Sequence, residues 1–218
     1  MSMPELTIAD LKIEAREFAE FENEHNEPTL FGVSDGKVIG TYLEQKFTNG
    51  LTAHYTFAAG NSASGIDLPG LDVDIKTTSI RQPQSSCPFR FARQKVYGLG
   101  YNLLVFVYEK TDDHAARTSN LHMHHVIFID RAQTADYQTT RGILEILERN
   151  GNEDDLISFF FDRNLPIDDI TAQQLAEEIL QVPPEQGFIT ISNALQWRLQ
   201  YSRAISQAGF VPGVVRVL

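Results

Sequence analysis

The chain has 218 residues, of which 42% are hydrophobic and 22% charged, and its formal net charge is −11. This composition excludes a disordered chain and suits one globular unit with a sizeable core. The charge is unevenly spread: residues 1–30 and 149–180 each hold eight acids and two bases, whereas residues 31–108 hold five acids and seven bases. The acidic total therefore does not exclude a local surface for nucleic acid.

Neither export nor a membrane segment is expected. The longest apolar run, "LLVFVY" from Leu103 to Tyr108, suits a buried strand and is too short to span a bilayer. The N-terminal stretch carries acids and lacks an apolar signal core. The single cysteine, Cys87, cannot form an internal disulfide and fits a reducing compartment, so a cytoplasmic protein is expected.

The first third of the chain predicts two helices and a hairpin. Residues 5–24 have the amphipathic, acid-rich pattern of a helix. A second helix is expected to begin after Ser34 as its N-cap and to end at Gly50. The turn centred on Pro69-Gly70 then predicts a β-hairpin.

The remainder of the chain predicts strands and helices in alternation. A helix of about ten residues is expected within "SSCPFRFARQKVYGLG", with Pro88 near its first turn. The segments "NLLVFVYEK" and "LHMHHVIFID" are predicted strands, joined by the polar loop "TDDHAARTSN". Helices are expected in "TTRGILEILERNG", "DITAQQLAEEIL" and "NALQWRLQYSRAISQAG", with a short strand in "PPEQGFITIS". This order predicts an α/β fold in one domain, with a central mixed β-sheet flanked by helices and an α-rich C-terminal addition.

The segment "LDVDIK" gathers charge on one face of a predicted strand. Alternate side chains point to opposite faces, so Val73 and Ile75 share one face while Asp72, Asp74 and Lys76 share the other. Asp67 precedes the turn, which is expected to bring it near Asp72 with Asp74 on the same face. Like charges on adjacent strands repel, and a divalent cation such as Mg²⁺ would neutralise them. The alternative is an ordinary hairpin tip with a solvated outer face.

Together these residues resemble the PD-(D/E)XK nuclease superfamily. Its typical order is a helix with Glu, a strand with Asp, a strand with (Asp/Glu)-x-Lys, and then a helix and more strands. Here the order is Glu44 in "GTYLEQKF", Asp67, Asp74 with Lys76, "FRFARQKVYG" and "NLLVFVYEK". The step from Asp67 to Asp74 is similar to that of several restriction endonucleases of the superfamily. The segment "QKVY" departs from the Gln-x-x-x-Tyr pattern of the exonuclease branch, which favours an endonuclease.

The resemblance implies a restriction-endonuclease-like core at about residues 31–132, within a single nuclease domain of residues 1–218, and a helical addition for recognition at about residues 133–218. It also implies that Asp67, Asp74 and the Ile75 carbonyl bind Mg²⁺, and that Lys76 positions the attacking water. Glu44 would lie across the site and hold a metal-bound water or Lys76; an exposed helix acid is the alternative. Asp72 is expected to be a solvated neighbour, with a second-site ligand as the alternative.

The function implied by the resemblance is that of a type II restriction endonuclease, which cuts double-stranded DNA at a specific site. A symmetric homodimer would match a palindromic site. The apolar surface of the dimer interface could come from "GILEILE" or "LISFFF", although both segments could equally belong to the core of the domain. The alternatives are a monomeric nicking or repair nuclease of the same superfamily and a catalytically idle DNA-binding relative.

Two segments could contact DNA. The first follows Lys76 directly and offers, as DNA-binding candidates, Arg81, Gln82, Gln84, Arg90 and Arg93. Arginine can bond two acceptors on guanine, and glutamine can pair with adenine. The second is the predicted C-terminal helix with Gln196, Arg198 and Arg203, for which a core helix with solvated arginines is the alternative.

Other chemistry finds less support in the sequence. His122 and His124 share a strand face and could belong to a zinc site, but no third ligand is evident. Cys87 has no histidine close by in sequence to act as its base, so a packed thiol is expected. Gly32, Gly36 and Gly40 lack the Lys-Ser/Thr signature of a phosphate-binding loop and are expected to allow a close approach by a neighbour or by DNA.

Overall fold

The computed structural model describes residues 3–58, 60, 65–86, 91–192 and 198–218. Within these ranges the helices are α1 (Ile8–Glu24), α2 (Gly36–His54), α3 (Ala92–Tyr97), α4 (Tyr137–Glu148), α5 (Glu153–Asp162), α6 (Asp169–Gln181) and α7 (Ser202–Gln207). The strands are β1 (Asn26–Glu27), β2 (Val73–Ser79), β3 (Gln84–Ser86), β4 (Asn102–Asp113), β5 (Thr118–Ile129), β6 (Thr190–Ile191), β7 (Arg198–Gln200) and β8 (Val214–Arg216).

The predicted central mixed sheet is confirmed. Its strands follow the order β1-β5-β4-β2, and β8 also pairs with β5. Strands β4 and β5 form a long antiparallel hairpin, whereas β2 runs parallel to β4 along its whole length. A parallel pair needs a crossover connection, and the chain between β2 and β4, which includes β3 and α3, supplies it.

The first half of strand β4, Leu103 to Tyr108, is apolar and buried because the sheet is covered on both faces there. Leu104 and Phe106 point into a core formed with α1 and α2, while Leu103 and Val105 point into a second core on the opposite face. Strands buried on both sides read as continuous hydrophobic runs, as "LLVFVY" does. A third core joins the inner faces of α3, α4, α5 and α6.

A second, three-stranded sheet with the order β3-β7-β6 was not predicted, and it overturns part of the expected C-terminal helix. Residues Arg198–Gln200 form strand β7 instead, followed by the short helix α7. Leu199 and Tyr201, two residues apart, are both fully buried in the second core. That spacing of two is the period of a strand, and it prevailed over the apparent helical pattern. Gln196 lies outside the described residues.

The two N-terminal helices are confirmed, with different ends. Helix α1 begins at Ile8 behind the N-cap Thr7, so the prediction that it starts at residue 5 is wrong. Asp35, rather than Ser34, caps α2, because its carboxylate accepts a hydrogen bond from the Lys37 N–H at 2.8 Å. The helix also runs past Gly50 to His54, which allows Leu51 to be buried.

The middle of the chain corrects two further expectations. Helix α3 has six residues rather than ten, and part of the segment assigned to it forms β3; Cys87, Pro88 and Arg90 lie outside the described residues. The expected polar loop "TDDHAARTSN" is mostly strand, because β4 and β5 extend until only residues 114–117 remain between them.

The C-terminal part is rich in helices, as expected, but it also contributes β6, β7 and β8. The segments "GILEILE" and "LISFFF" lie in α4 and α5, where Ile143, Leu156 and Phe160 are fully buried in the third core. These segments therefore serve mainly as core. Among the described residues, no helix combines the length and apolarity that crossing a bilayer requires.

Candidate active site

The strand that carries the predicted site, β2, lies at the end of the central sheet next to β4. Val73 and Ile75 are buried in the first core. Asp74 and Lys76 alternate with these two residues along the strand and lie on the other side of the sheet. That side also carries Leu103 and Val105, their register partners on β4. The sequence therefore assigned these four side chains to the correct faces.

Asp72 does not share that face, because it precedes the strand. Its backbone is left-handed, with φ 52°, and it ends the 3₁₀ turn Pro69–Leu71. Its carbonyl accepts a hydrogen bond from the Asn102 N–H at 2.7 Å, which fixes the start of the parallel pairing. Asn and Asp tolerate this backbone conformation better than most residues do. The structure thus gives Asp72 a turn position.

Asp67 lies alongside Asp74 rather than opposite Asp72 as expected. A single antiparallel bridge joins Leu68 to Val73, so the turn between them has four residues instead of the two expected. The Asp67 carboxylate accepts a hydrogen bond from the Ile75 N–H at 2.8 Å. Its side chain also hydrogen-bonds to the Asp74 carboxyl group. The longer turn is therefore what brings the two carboxyl groups together.

The electrostatics around Asp74 are unfavourable to its charge. Its side chain is only 4% exposed, and this burial raises the pKa of Asp74 to about 7, with Lys76 opposing the shift and Asp67 adding to it. The Lys76 Nζ lies 2.6 Å from the Asp74 Oδ2. The ammonium is thus held beside the two carboxyl groups, as the sequence predicts.

Glu44 reaches the same site from helix α2. Burial raises the pKa of Glu44 to about 7, and the charge of Asp67 raises it further, whereas Lys76 lowers it. The Thr77 hydroxyl lies 3.5 Å from the Glu44 Oε1. Glu44 on α2 and Asp74 on β2 therefore both interact electrostatically with Asp67, in the loop before β2, and with the Lys76 ammonium.

A close approach of α2 to β2 makes this arrangement possible. A Cβ atom added to Gly40 would lie 2.7 Å from the Thr77 Oγ1, well inside van der Waals contact. Gly40 is one helical turn before Glu44 and faces the same strand. The expectation that a glycine here permits the close approach of a neighbour is thus confirmed, and the neighbour is Thr77.

The donor set fits a hard divalent cation. Two carboxyl groups in hydrogen-bond contact, one of them buried, need either a shared proton or a cation between them. In the described ranges, no three His, Cys, Asp or Glu side chains converge closely enough to hold an ion by themselves. Mg²⁺ keeps several water ligands and needs only one or two carboxylates, so Asp67 and Asp74 suffice in number.

The residues expected to contact DNA have different surroundings. Arg81 and Gln82 are exposed in the turn after β2, whereas Gln84 belongs to β3. Arg93 on α3 forms a bidentate ion pair with Glu178, with contacts of 2.6 to 3.2 Å. Arg90 lies outside the described residues.

The second candidate segment also differs from expectation. Arg198 lies on β7, and the Arg203 guanidinium stacks 3.6 Å from the centre of the Tyr137 ring. Arg203 is therefore held against the protein, which differs from the solvated arginine that the alternative expected.

The histidines do not make a metal site. The rings of His122 and His124 are 4.9 Å apart, and the His124 Nε2 lies 3.1 Å from the Glu109 Oε2. These three side chains do not converge as ligands in the described part of the chain. Thr77 and Thr78, by contrast, were not predicted as individual site residues, although "TTSIRQPQSS" directly after Lys76 is rich in hydrogen-bonding side chains.

The mixed sheet flanked by helices is compatible with a restriction-endonuclease-like core, in which Asp74 and Lys76 on the end strand β2 lie beside Asp67. A family model described as "Type II restriction enzyme NspV" matches residues 5–216. The type II restriction enzyme NspV of Nostoc sp. is 59% identical over 212 residues, which cover 97% of this chain and 96% of that protein. The chain belongs to the NspV family of type II restriction enzymes. No solved structure matches it significantly.

Proposed function

We propose that the chain is an Mg²⁺-dependent endonuclease that hydrolyses phosphodiester bonds at a specific site in double-stranded DNA. The observation that carries the proposal is the convergence of Asp67 and Asp74 beside the Lys76 ammonium on β2. Family membership supports the same activity, because the relative is named a type II restriction enzyme.

In this proposal Asp67, Asp74 and the Ile75 carbonyl hold the ion, which supplies charge stabilisation at the phosphate and lowers the pKa of a water molecule when bound. Asp67 is already oriented by the Ile75 N–H, so its position does not depend on the ion. Asp74, in turn, holds the Lys76 ammonium through the contact of 2.6 Å.

Lys76 acts as the positioning group for the attacking water. A fixed ammonium can donate a hydrogen bond to that water and can stabilise negative charge on the phosphate oxygens as it develops. The water oxygen bonds to phosphorus, the bond from phosphorus to the 3′ oxygen breaks, and the products are a 5′ phosphate and a 3′ hydroxyl group. Glu44, held near Lys76 and Thr77, restrains the ammonium from the side of α2.

Base and phosphate contacts are proposed for Arg81, Gln82, Gln84, Arg90 and Arg93. Arg81 and Gln82 have the strongest support, because they are exposed and follow the catalytic strand directly. Arg93 would have to exchange its ion pair with Glu178 for a phosphate. We further propose a symmetric homodimer in the cytoplasm, where the single cysteine of the sequence would stay reduced.

Incubation of the protein with a supercoiled plasmid and a long linear DNA tests the proposal. Discrete linear fragments with Mg²⁺, and none with a chelator, are the expected result. A nicked circle as the sole product would favour the monomeric nicking nuclease, and intact DNA at every Mg²⁺ concentration would favour the idle relative. Asp67→Asn and Lys76→Met variants serve as controls against a contaminating nuclease.

A further inference from the structure

Strands β3 and β7 form an antiparallel pair, called the ribbon below, which presents a row of polar side chains on one face of the small sheet. Gln84 pairs with Gln200 across the strands, and Ser86 pairs with Arg198. The side chains at the alternate positions point inward. Leu199 is fully buried there, and the Ser85 hydroxyl lies 2.6 Å from the Tyr201 hydroxyl. The outer face of this ribbon therefore carries Gln84, Ser86, Arg198 and Gln200.

This face differs in charge from most of the molecule. All four side chains are able to form hydrogen bonds, one is cationic and none is acidic, in a chain with a net charge of −11. Thr190 on β6 pairs with Gln200 and extends the same polar row. The four side chains are partly or largely exposed rather than packed in a core.

The ribbon is fixed to the catalytic strand by a buried threonine. Thr78 is two residues beyond Lys76 and only 5% exposed. Its hydroxyl accepts a hydrogen bond from the Gln84 N–H at 2.9 Å and lies 3.0 Å from the Gln84 carbonyl oxygen. The Tyr201 N–H donates to the Pro83 carbonyl at 2.8 Å, which attaches β7 to the same segment. The distance between Lys76 and the ribbon is therefore set by direct bonds.

We propose that the outer face of β3 and β7 reads base edges in the major groove of the substrate, with Gln84 and Gln200 as residues that determine specificity. The major groove of B-DNA admits a two-stranded β-ribbon, and glutamine bonds adenine at two positions. The proposal rests on the proposed function, since it assigns to the same enzyme the surface that selects its site.

The rigid link to Lys76 gives the ribbon a functional consequence. A type II enzyme must cut at a constant distance from the bases that it reads. Bonds from Thr78 to the first residue of β3 would hold that distance without any loop motion. The ribbon is therefore better suited to reading bases than the exposed turn at Arg81 and Gln82, which phosphate contacts would suit.

The test compares Gln200→Ala with Gln173→Ala, a matched removal of an exposed glutamine on α6, far from the ribbon in sequence. Fragments from a long DNA of known sequence first identify the cognate site. We then measure kcat/KM on the cognate duplex and on duplexes changed at each base pair. For Gln200→Ala, kcat/KM on the cognate duplex should fall about 5- to 150-fold, and discrimination should be lost at one base pair. Gln173→Ala should match the wild type.

A second variant and a second position sharpen the test. Gln200→Met keeps a long side chain on β7, so it separates lost hydrogen bonding from a folding defect. This variant should lose discrimination at the same base pair. Gln84→Ala should lose discrimination at that base pair or at its immediate neighbour, because the two glutamines are cross-strand partners. If the two variants lost discrimination at two distant base pairs, the proposal would be contradicted.

The remaining outcomes separate this inference from the proposed function. An equal loss of kcat/KM on all duplexes would mean that the ribbon contacts only phosphates. Unchanged kinetics would show that the ribbon does not touch DNA. Both results overturn the inference while leaving the nuclease activity in place. If the wild-type protein produces no discrete fragments, the proposed function fails and the inference fails with it.

Discussion

Asp74 is a buried carboxyl group that touches both an acid and a cation, and this makes it the most informative single residue. We expect Asp74→Asn to abolish cleavage while DNA binding is retained or becomes tighter, because the change removes an ion ligand and also a negative charge facing phosphates. Cleavage assays and binding titrations measure the two effects. Asp72→Asn is the matched control, since Asn tolerates the left-handed backbone of that turn, and it should keep near-normal activity.

The same residue should make the stability of the ion-free protein depend on pH. Burial raises the pKa of Asp74 from 3.8 to about 7, so between these values the folded state holds a proton that the unfolded state has released. Stability therefore falls as the pH rises from 3.8 to about 7 and remains at the lower level above it. Glu44, with its pKa raised to about 7, acts in the same direction.

Thermal or urea unfolding in a chelator, at several pH values from 4 to 8, measures this dependence. Asp74→Asn should have a flatter profile and exceed the wild type in stability at pH 8. Glu27, whose pKa is lowered from 4.5 to about 2, acts in the opposite direction, but its contribution is complete once the pH is well above 4.5. A wild-type profile as flat as that of the variant would mean that the Asp74 carboxyl group is not buried as described. Added Mg²⁺ should stabilise the wild type more than the variant.

At this scale the sequence predicted the chemistry better than the contacts. The alternation in "LDVDIK" was enough to assign the faces of Asp74 and Lys76. It could not predict that Asp67 lies beside Asp74, because the register across a turn depends on the number of turn residues, and Pro69-Gly70 suggested two where there are four. Thr77 became visible only once the packing of α2 against β2 was known.

At the scale of elements, the contact between α2 and β2 depends on a missing side chain. Gly40→Ala should push Thr77 and the strand away from the helix, because its Cβ would lie 2.7 Å from the Thr77 Oγ1. Since small displacements in an active site carry large costs, we expect a loss of kcat of about tenfold or more. Single-turnover cleavage with saturating enzyme measures the effect without a contribution from binding.

Gly50→Ala provides the control on the same helix. Apart from the local backbone of α2 itself, no atom lies within 4 Å of the added Cβ, and the position is inside this helix. This variant should keep its activity and gain roughly 0.5–1 kcal/mol in the free energy of unfolding, because alanine favours a helix interior over glycine. If Gly40→Ala gains stability in the same way and cleaves normally, the close approach has no role in the site.

The elements that sequence predicted poorly are those held by partners distant in the chain. Long β4 and β5 were evident from their apolar runs, but β7 has three residues and exists because β3 and β6 pair with it. Its segment carries glutamine, leucine and arginine, which are common in helices. The second sheet thus follows from pairing, which periodicity along one segment does not reveal.

For the whole molecule, the homodimer is the main open prediction. The inner faces of α4 and α5 are committed to the third core, so a dimer contact must use other surfaces. We expect sedimentation in the presence of cognate DNA to give a protein component of twice the 24.5 kDa chain mass. A 24.5 kDa species alone, with and without DNA, would contradict the dimer and favour the nicking enzyme.

Strand β5 joins distant parts of the chain, and this has a consequence for folding. One edge pairs with β1, where Asn120 meets Asn26, and also with β8, where Ile129 meets Val214. Such long-range pairings form slowly, because the chain entropy of closing large loops is lost before the pairing is gained. Until β8 arrives, the edge at Ile127, Phe128 and Ile129 is open and apolar, which makes it a template for pairing with another chain. Refolding should therefore lose material to aggregation at high protein concentration, in competition with the docking of the last strand.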